Sequence, residues 1–367
     1  MIEVLALILA WLFPLGFLFG VRALDLYRTG KFHYNIYTIL WGSIAYALAV
    51  LINSTLLRAG AVSQAQMVRV IAPILEELLK AAILLYLVQR PDFNYVVDGA
   101  IYGFGAGIGF AIVENTEYVV GSPGLALTVA LSRVFSTNLI HATGSGLIGG
   151  ALAHVRDDRT MRGFVTMLAG FALSIGLHMG FNTMVSTGTL LLFAVAAGLI
   201  GTGFIVLAIR LGLGVQRAWI DEKLGAQDRV TGSEARVVGK LGSLDAVLAP
   251  LVQRFGAEKA ATVERFLVLQ AQIGIKRKLQ ERALDDGRRH ALEAEIGQIT
   301  KEMDEARRRA GTYCMLYVRG IFPEAHSPVW GLIEDRVKAL EPGVAGSGLW
   351  DIAAKRMPAS GTPGEKK

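Results

Sequence analysis

The run IAPILEELLKAAILL places Glu76, Glu77 and Lys80 inside an otherwise apolar segment. An ionisable side chain at the centre of a membrane helix costs about 3 kcal/mol or more, so such residues face a bundle interior or a cavity rather than lipid. Lys80 follows Glu76 by four residues and Glu77 by three, so one broad helix face can present all three. A second run, VVDGAIYGFGAGIGFAIVENTEY, carries Glu114 and Asn115, with Phe110 one turn earlier. Two further runs hold one histidine each: His141 in NLIHATGSGLIGG, and His178 in SIGLHMGFNTM, where Asn182 follows one turn later. Carboxylates and imidazoles gathered in a low-dielectric site can move protons near neutral pH. The same groups suit zinc, and they also mark ion paths. Proton-transfer chemistry is what these residue types allow, and a proton-coupled transporter or ion pathway is one class of protein that uses it. Related halves, which such transporters often show, are not visible.

Other polar residues have plainer roles. Asp98 opens its helix, where a carboxylate suits the positive N-terminal dipole, so it is expected to be structural. Glu117 lies nearer the outer end of the same run and is expected to be solvated. Gly103, Gly105, Gly107 and Gly109 suit close helix packing. His33, His154, His290 and His326 fall in a loop, at a span end or in the polar tail.

The elements that must position these residues are membrane helices. The chain is 53% hydrophobic and 19% charged, and most of the charge follows Arg210. About 20 apolar residues cross a bilayer. Candidate spans lie near 2–20, 36–57, 67–88, 97–120, 138–155, 161–186 and 189–213. The first has no basic leader and no small-residue cleavage site, so it is expected to be retained. The apolar stretch 123–137 contains Arg133 and is expected to be interfacial or re-entrant.

Lys and Arg in the short loops set orientation. Arg22, Arg28, Lys31, Arg90, Arg156, Arg159, Arg162, Arg210, Arg217 and Lys223 share one side if the N-terminus is outside and the C-terminus cytoplasmic. Seven spans satisfy that parity. Glu76, Glu114, His141 and His178 then lie roughly 14, 9, 5 and 12 Å below the outer ends of their spans. All four share the outer half of the membrane.

The fold class expected is all-α. A polytopic bundle of about seven spans occupies residues 1–214, a cytoplasmic helical region 215–341, and a disordered tail 342–367. Leu244, Val247, Leu248, Leu251 and Phe255 repeat at helical spacing, and 257–285 and 288–310 also read as helices. This region is expected to bind a cytoplasmic partner or to self-associate. The net charge of +6 fits basic cytoplasmic loops, and no nucleic-acid motif accompanies it. The single cysteine, Cys314, excludes an internal disulfide or a thiolate metal cluster and reads as a packed thiol.

Glu76-Glu77-x-x-Lys80, Phe110-x-x-x-Glu114-Asn115, His141 and His178 together resemble the motif set of the PrsW-type intramembrane proteases. The resemblance covers roughly residues 67–185, and DGAIYGFGAGIGFAIVEN is especially similar. More distantly the chain is similar to the CAAX-processing and bacteriocin-processing membrane proteases. Their pattern has histidine where Glu114 stands, while His178-x-x-x-Asn182 matches their last motif. The resemblance implies a bacterial cell-membrane enzyme that cleaves a membrane-anchored protein near its outer face, an anti-sigma-factor-like regulator being one such substrate.

On that basis Glu76 is expected to activate water, with Glu114 positioning it. His178 and Asn182 would stabilise the oxyanion, and His141 would donate a proton or orient its neighbours. Glu77 and Lys80 would hold charge and orientation, supported by Phe110 and Asn115. This glutamic-type arrangement needs no cofactor. The alternative binds zinc through the same glutamates and histidines, although no HExxH motif demands it.

Overall fold

The computed structural model describes residues 1–158, 160–188, 191–224, 238 and 244–321. Every described element is helical. In order they are α1 (Ile2–Arg22), α2 (Phe32–Arg58), a single turn α3 (Gln64–Gln66), α4 (Ala72–Leu87), α5 (Val96–Val120), α6 (Ala126–Phe135), α7 (Thr137–Val155), α8 (Met161–Ser186) and α9 (Leu191–Lys223). Beyond them come α10 (Leu244–Phe255), α11 (Ala257–Arg282), α12 (Asp286–Ala310) and α13 (Thr312–Ile321). The stretch expected to be disordered, 342–367, lies outside the described residues.

The core of the membrane region is α5. Its residues from Val97 to Ile112 are all buried, which explains why its sequence is apolar on every face. Glycines let neighbours reach its backbone. A Cβ added at Gly99, Gly103 or Gly107 would stand 2.2, 2.1 or 2.3 Å from the carbonyl oxygen of Gly149, Ser145 or His141. The partner numbers fall as the α5 numbers rise, so α5 and α7 are antiparallel. On its other side Gly109 meets the Ile39 carbonyl of α2, 2.0 Å from such a Cβ. Small residues thus replace apolar burial as the device that joins helices within lipid.

Six described stretches are long and apolar enough to cross a membrane: α1, α2, α5, Pro123–Val155, α8 and α9. The chain is an integral membrane protein. The expected span at 67–88 is not among the six. It becomes a five-residue π-helical turn, Met67–Ile71, followed by the 16-residue α4. Length and charge together explain the difference, since α4 is short and carries Glu76, Glu77 and Lys80. The stretch expected to be re-entrant forms a short turn and α6, separated from α7 at Ser136 by a non-helical backbone (φ −124°, ψ −87°).

α9 runs unbroken through the expected boundary at residue 214, with Trp219 and Ile220 buried near its end. The C-terminal helices pack on that extension and on the basic loops. Gln272 of α11 donates to the carbonyls of Tyr27 and Arg28, both at 3.0 Å, and Lys276 donates to Asn94 at 3.1 Å. Arg288 of α12 pairs with Asp157. The loops rich in Lys and Arg and the C-terminal helices therefore occupy one end of the bundle. Asp98, at that end of α5, is fully buried and accepts hydrogen bonds from Thr29 (2.6 Å) and from the backbone (3.1 Å) and side chain (2.8 Å) of Asn94, a structural role. Cys314 is buried, and burial pushes its thiol up.

Candidate active site

Glu114 lies 16 residues beyond Asp98 on α5, about 24 Å along the axis. Around it converge α4, α6, α7 and α8. The site is therefore far from the C-terminal helices.

The α4 contribution is divided by burial. Glu77 and Lys80 are fully buried and form an ion pair at 2.6 Å. Glu77 also accepts from Ser174 Oγ at 3.0 Å and from His178 Nδ1 at 2.9 Å, both on α8. A carboxylate can only accept, so Nδ1 of His178 carries the proton and Nε2 presents a lone pair. That nitrogen faces Glu76, 3.7 Å from its Oε2. Glu76 keeps 14% of its side chain exposed, which leaves it accessible where Glu77 is sealed.

His141 of α7 completes the group. Its Nδ1 lies 3.1 Å from Lys80 Nζ and its Nε2 lies 2.9 Å from Glu114 Oε2. An ammonium has no lone pair, so Nδ1 accepts and the ring proton sits on Nε2, directed at Glu114. The rings of His141 and His178 meet edge to face with centroids 4.7 Å apart. Phe110 lies under both His141 (4.9 Å between centroids) and the Lys80 ammonium (4.9 Å), which fixes the floor of the site.

Asn182 departs from the expected arrangement, while Asn115 keeps the supporting place expected of it. Asn182, one turn from His178, donates its amide to the Val68 carbonyl at 3.0 Å, in the π-helical turn. It secures the start of α4 instead of facing the carboxylates. Asn115 accepts from Arg133 at 2.9 Å and so supports α6. Glu117 is exposed, as expected, and accepts from the Tyr46 hydroxyl.

Sequence reasoning left Arg133 and Ser174 out of the site. Arg133 Nη2 lies 2.8 Å from Glu114 Oε2. Its signal was present in the sequence as a lone cation in an apolar stretch. Ser174 had a weaker signal, one turn before His178.

With both imidazoles neutral, the three carboxylates Glu76, Glu77 and Glu114 face two cations, Lys80 and Arg133, leaving one negative charge. Glu76, His141 and His178 each offer a ligand atom, and these atoms lie within 4.8 Å of one another. Two nitrogens and a carboxylate oxygen form a donor set that suits zinc, and His178 already presents a lone pair on one side and a carboxylate partner on the other. Glu76 and His178 therefore fit a divalent metal as they stand, and His141 would join them once Lys80 releases its Nδ1.

Acid–base groups and a donor set suited to metal, gathered inside a helical membrane bundle, mark a candidate intramembrane enzyme site. Residues 31–211 match the PrsW family intramembrane metalloprotease. The matched stretch lies within the membrane region of this chain and supports its assignment as a membrane protease. No curated protein and no solved structure matches the chain.

Proposed function

We propose that the chain is an endopeptidase that cleaves a membrane-anchored protein in the outer half of the bilayer, with Glu76, His141 and His178 holding a zinc ion. The observation that carries this reading is the convergence of those three side chains, from three helices, within 4.8 Å. A bound dication would supply a Lewis acid for the scissile carbonyl and for the attacking water. Glu77 fixes His178 so that Nε2 points into the site, and Lys80 compensates the charge of Glu77. Glu114 is the group placed to take the proton from water and return it to the leaving amine, its charge balanced by Arg133 and its orientation held by His141. The apolar floor at Phe110 limits water in the site.

The glutamic-type mechanism is the second reading. It is favoured by the Lys80 contact to His141 Nδ1, and by the single negative charge that one proton on Glu76 would neutralise. Treating purified protein with a chelator and restoring zinc separates the two. Loss of cleavage that zinc reverses supports the metal reading, and cleavage indifferent to the chelator contradicts it.

Cytoplasmic placement of the basic loops and the C-terminal helices, with the N-terminus outside, puts the site toward the outer face of a bacterial membrane. A single-span regulator with its cleavable bond near that face, such as an anti-sigma-factor-like protein, fits this placement. The C-terminal helices would then meet any cytoplasmic partner on the side away from the chemistry.

A further inference from the structure

Arg133 stands on α6, in a stretch that is otherwise apolar, and an arginine inside a membrane bundle is retained for what it contacts. Three residues on about one turn of α5 receive its guanidinium. Nη2 lies 2.8 Å from Glu114 Oε2, Nε donates to Asn115 Oδ1 at 2.9 Å, and the guanidinium carbon stands 3.7 Å from the centre of the Tyr118 ring. The side chain is 14% exposed. One hydrogen bond from Nε, an ion-pair contact at Nη2 and a ring beneath the plane orient the guanidinium in a way a lysine ammonium would not reproduce.

α6 also docks through apolar contacts of its own. Ala126 and Ala130 already pack against Ala6 and Ala10 of α1 and Val119 of α5 in a separate apolar cluster. What Arg133 alone supplies is a cation on the carboxylate oxygen that also receives His141 Nε2 at 2.9 Å. Glu114 Oε2 is thus shared between Arg133 and His141. Without the guanidinium that oxygen loses its only cation within ion-pair range among the described residues, and the imidazole loses a fixed acceptor.

We propose that Arg133 is a positioning residue that orients His141 through Glu114, and so tunes the reaction without touching the substrate. This inference rests on the protease reading for its effect on rate, but its effect on His141 is independent of that reading.

The test uses full-length protein carrying Arg133→Gln, Arg133→Lys, Glu114→Gln, and the Arg133→Gln/Glu114→Gln pair. Nitrogen-15 NMR of histidine-labelled protein in micelles reads the His141 ring, and cleavage of a single-span reporter in liposomes reads kcat and KM. The His141 signals should move in Arg133→Gln, return part way in Arg133→Lys, and move no further when Arg133→Gln is added to Glu114→Gln. The kcat of Arg133→Gln should fall about 10- to 100-fold with KM unchanged, the range for groups that orient a site from behind its reacting residues. His141 signals that stay fixed in Arg133→Gln, or that shift as much with Glu114→Gln as without it, overturn the proposal. So does a lower Tm with kcat and His141 both unchanged, because that marks Arg133 as scaffold. A wild type that cleaves no reporter contradicts the protease reading, and the His141 signals alone then decide the positioning role.

Discussion

Glu77 Oε1 lies 2.9 Å from His178 Nδ1 and thereby turns the opposite ring nitrogen toward Glu76. The two glutamates of the paired motif have different tasks. Glu77 is sealed behind the histidine and Glu76 is left open in front of it.

Lys80 is the cation that lets Glu77 be buried. Breaking a buried ion pair by removing one partner costs about 3–5 kcal/mol. Lys80→Met should lower Tm in detergent strongly and should cost more stability than removal of the exposed Arg309–Glu305 pair on α12. Equal, small losses from the two changes would contradict the assignment.

Truncating Glu77 acts on His178 at one remove. Glu77→Ala should weaken zinc binding by about 10- to 100-fold, the usual cost of losing a partner behind a histidine ligand. Competition with a zinc-responsive dye measures this, and unchanged affinity would contradict it.

The α5–α7 contact sets the distance between Glu114 and His141. A Cβ at Gly107 would stand 2.3 Å from the His141 carbonyl oxygen, so the helices must separate. Gly107→Ala should destabilise by about 1–3 kcal/mol, as overpacking does, and should also lower cleavage. Gly203→Ala is the control, because nothing lies within 4 Å of its added Cβ. Thermal unfolding and cleavage of the two variants give the comparison, and similar behaviour would contradict the packing account.

The paired glutamates, Glu114 and the two histidines were legible because charge is costly in lipid and therefore conspicuous in an apolar run. Counting residues down each span gave the expectation that they share one layer. Arg133 was equally conspicuous, but nothing in sequence separation says that α6 folds back onto the Glu114 turn of α5. The π-helical turn at Met67–Ile71 left no sequence signal, so the Asn182 amide could not be assigned to the Val68 carbonyl. α9 extends to Lys223 because Trp219 and Ile220 bury against α11 residues distant in sequence, a tertiary effect that hydropathy does not register.

At the far end of the bundle, burial pushes the Asp25 carboxyl up, against hydrogen bonds from Gly30 and Thr29 that pull it down. A carboxyl raised above its unfolded value contributes stability that is present at low pH and lost as pH rises through its folded pKa. The wild-type advantage in Tm over Asp25→Asn should therefore shrink as pH rises from the ordinary carboxylate range toward neutrality. A difference that grows with pH would contradict this sign.

The central claim is that Glu76 and Glu114 belong to one hydrolytic site. Wild type, Glu76→Gln and Glu114→Gln would be reconstituted with single-span reporter proteins, cleavage followed by mass spectrometry, and bound metal counted in each. The account predicts that wild type cleaves, that both substitutions abolish cleavage with the fold intact, and that Glu76→Gln also loses zinc while Glu114→Gln keeps it. Cleavage that survives both substitutions would contradict the account.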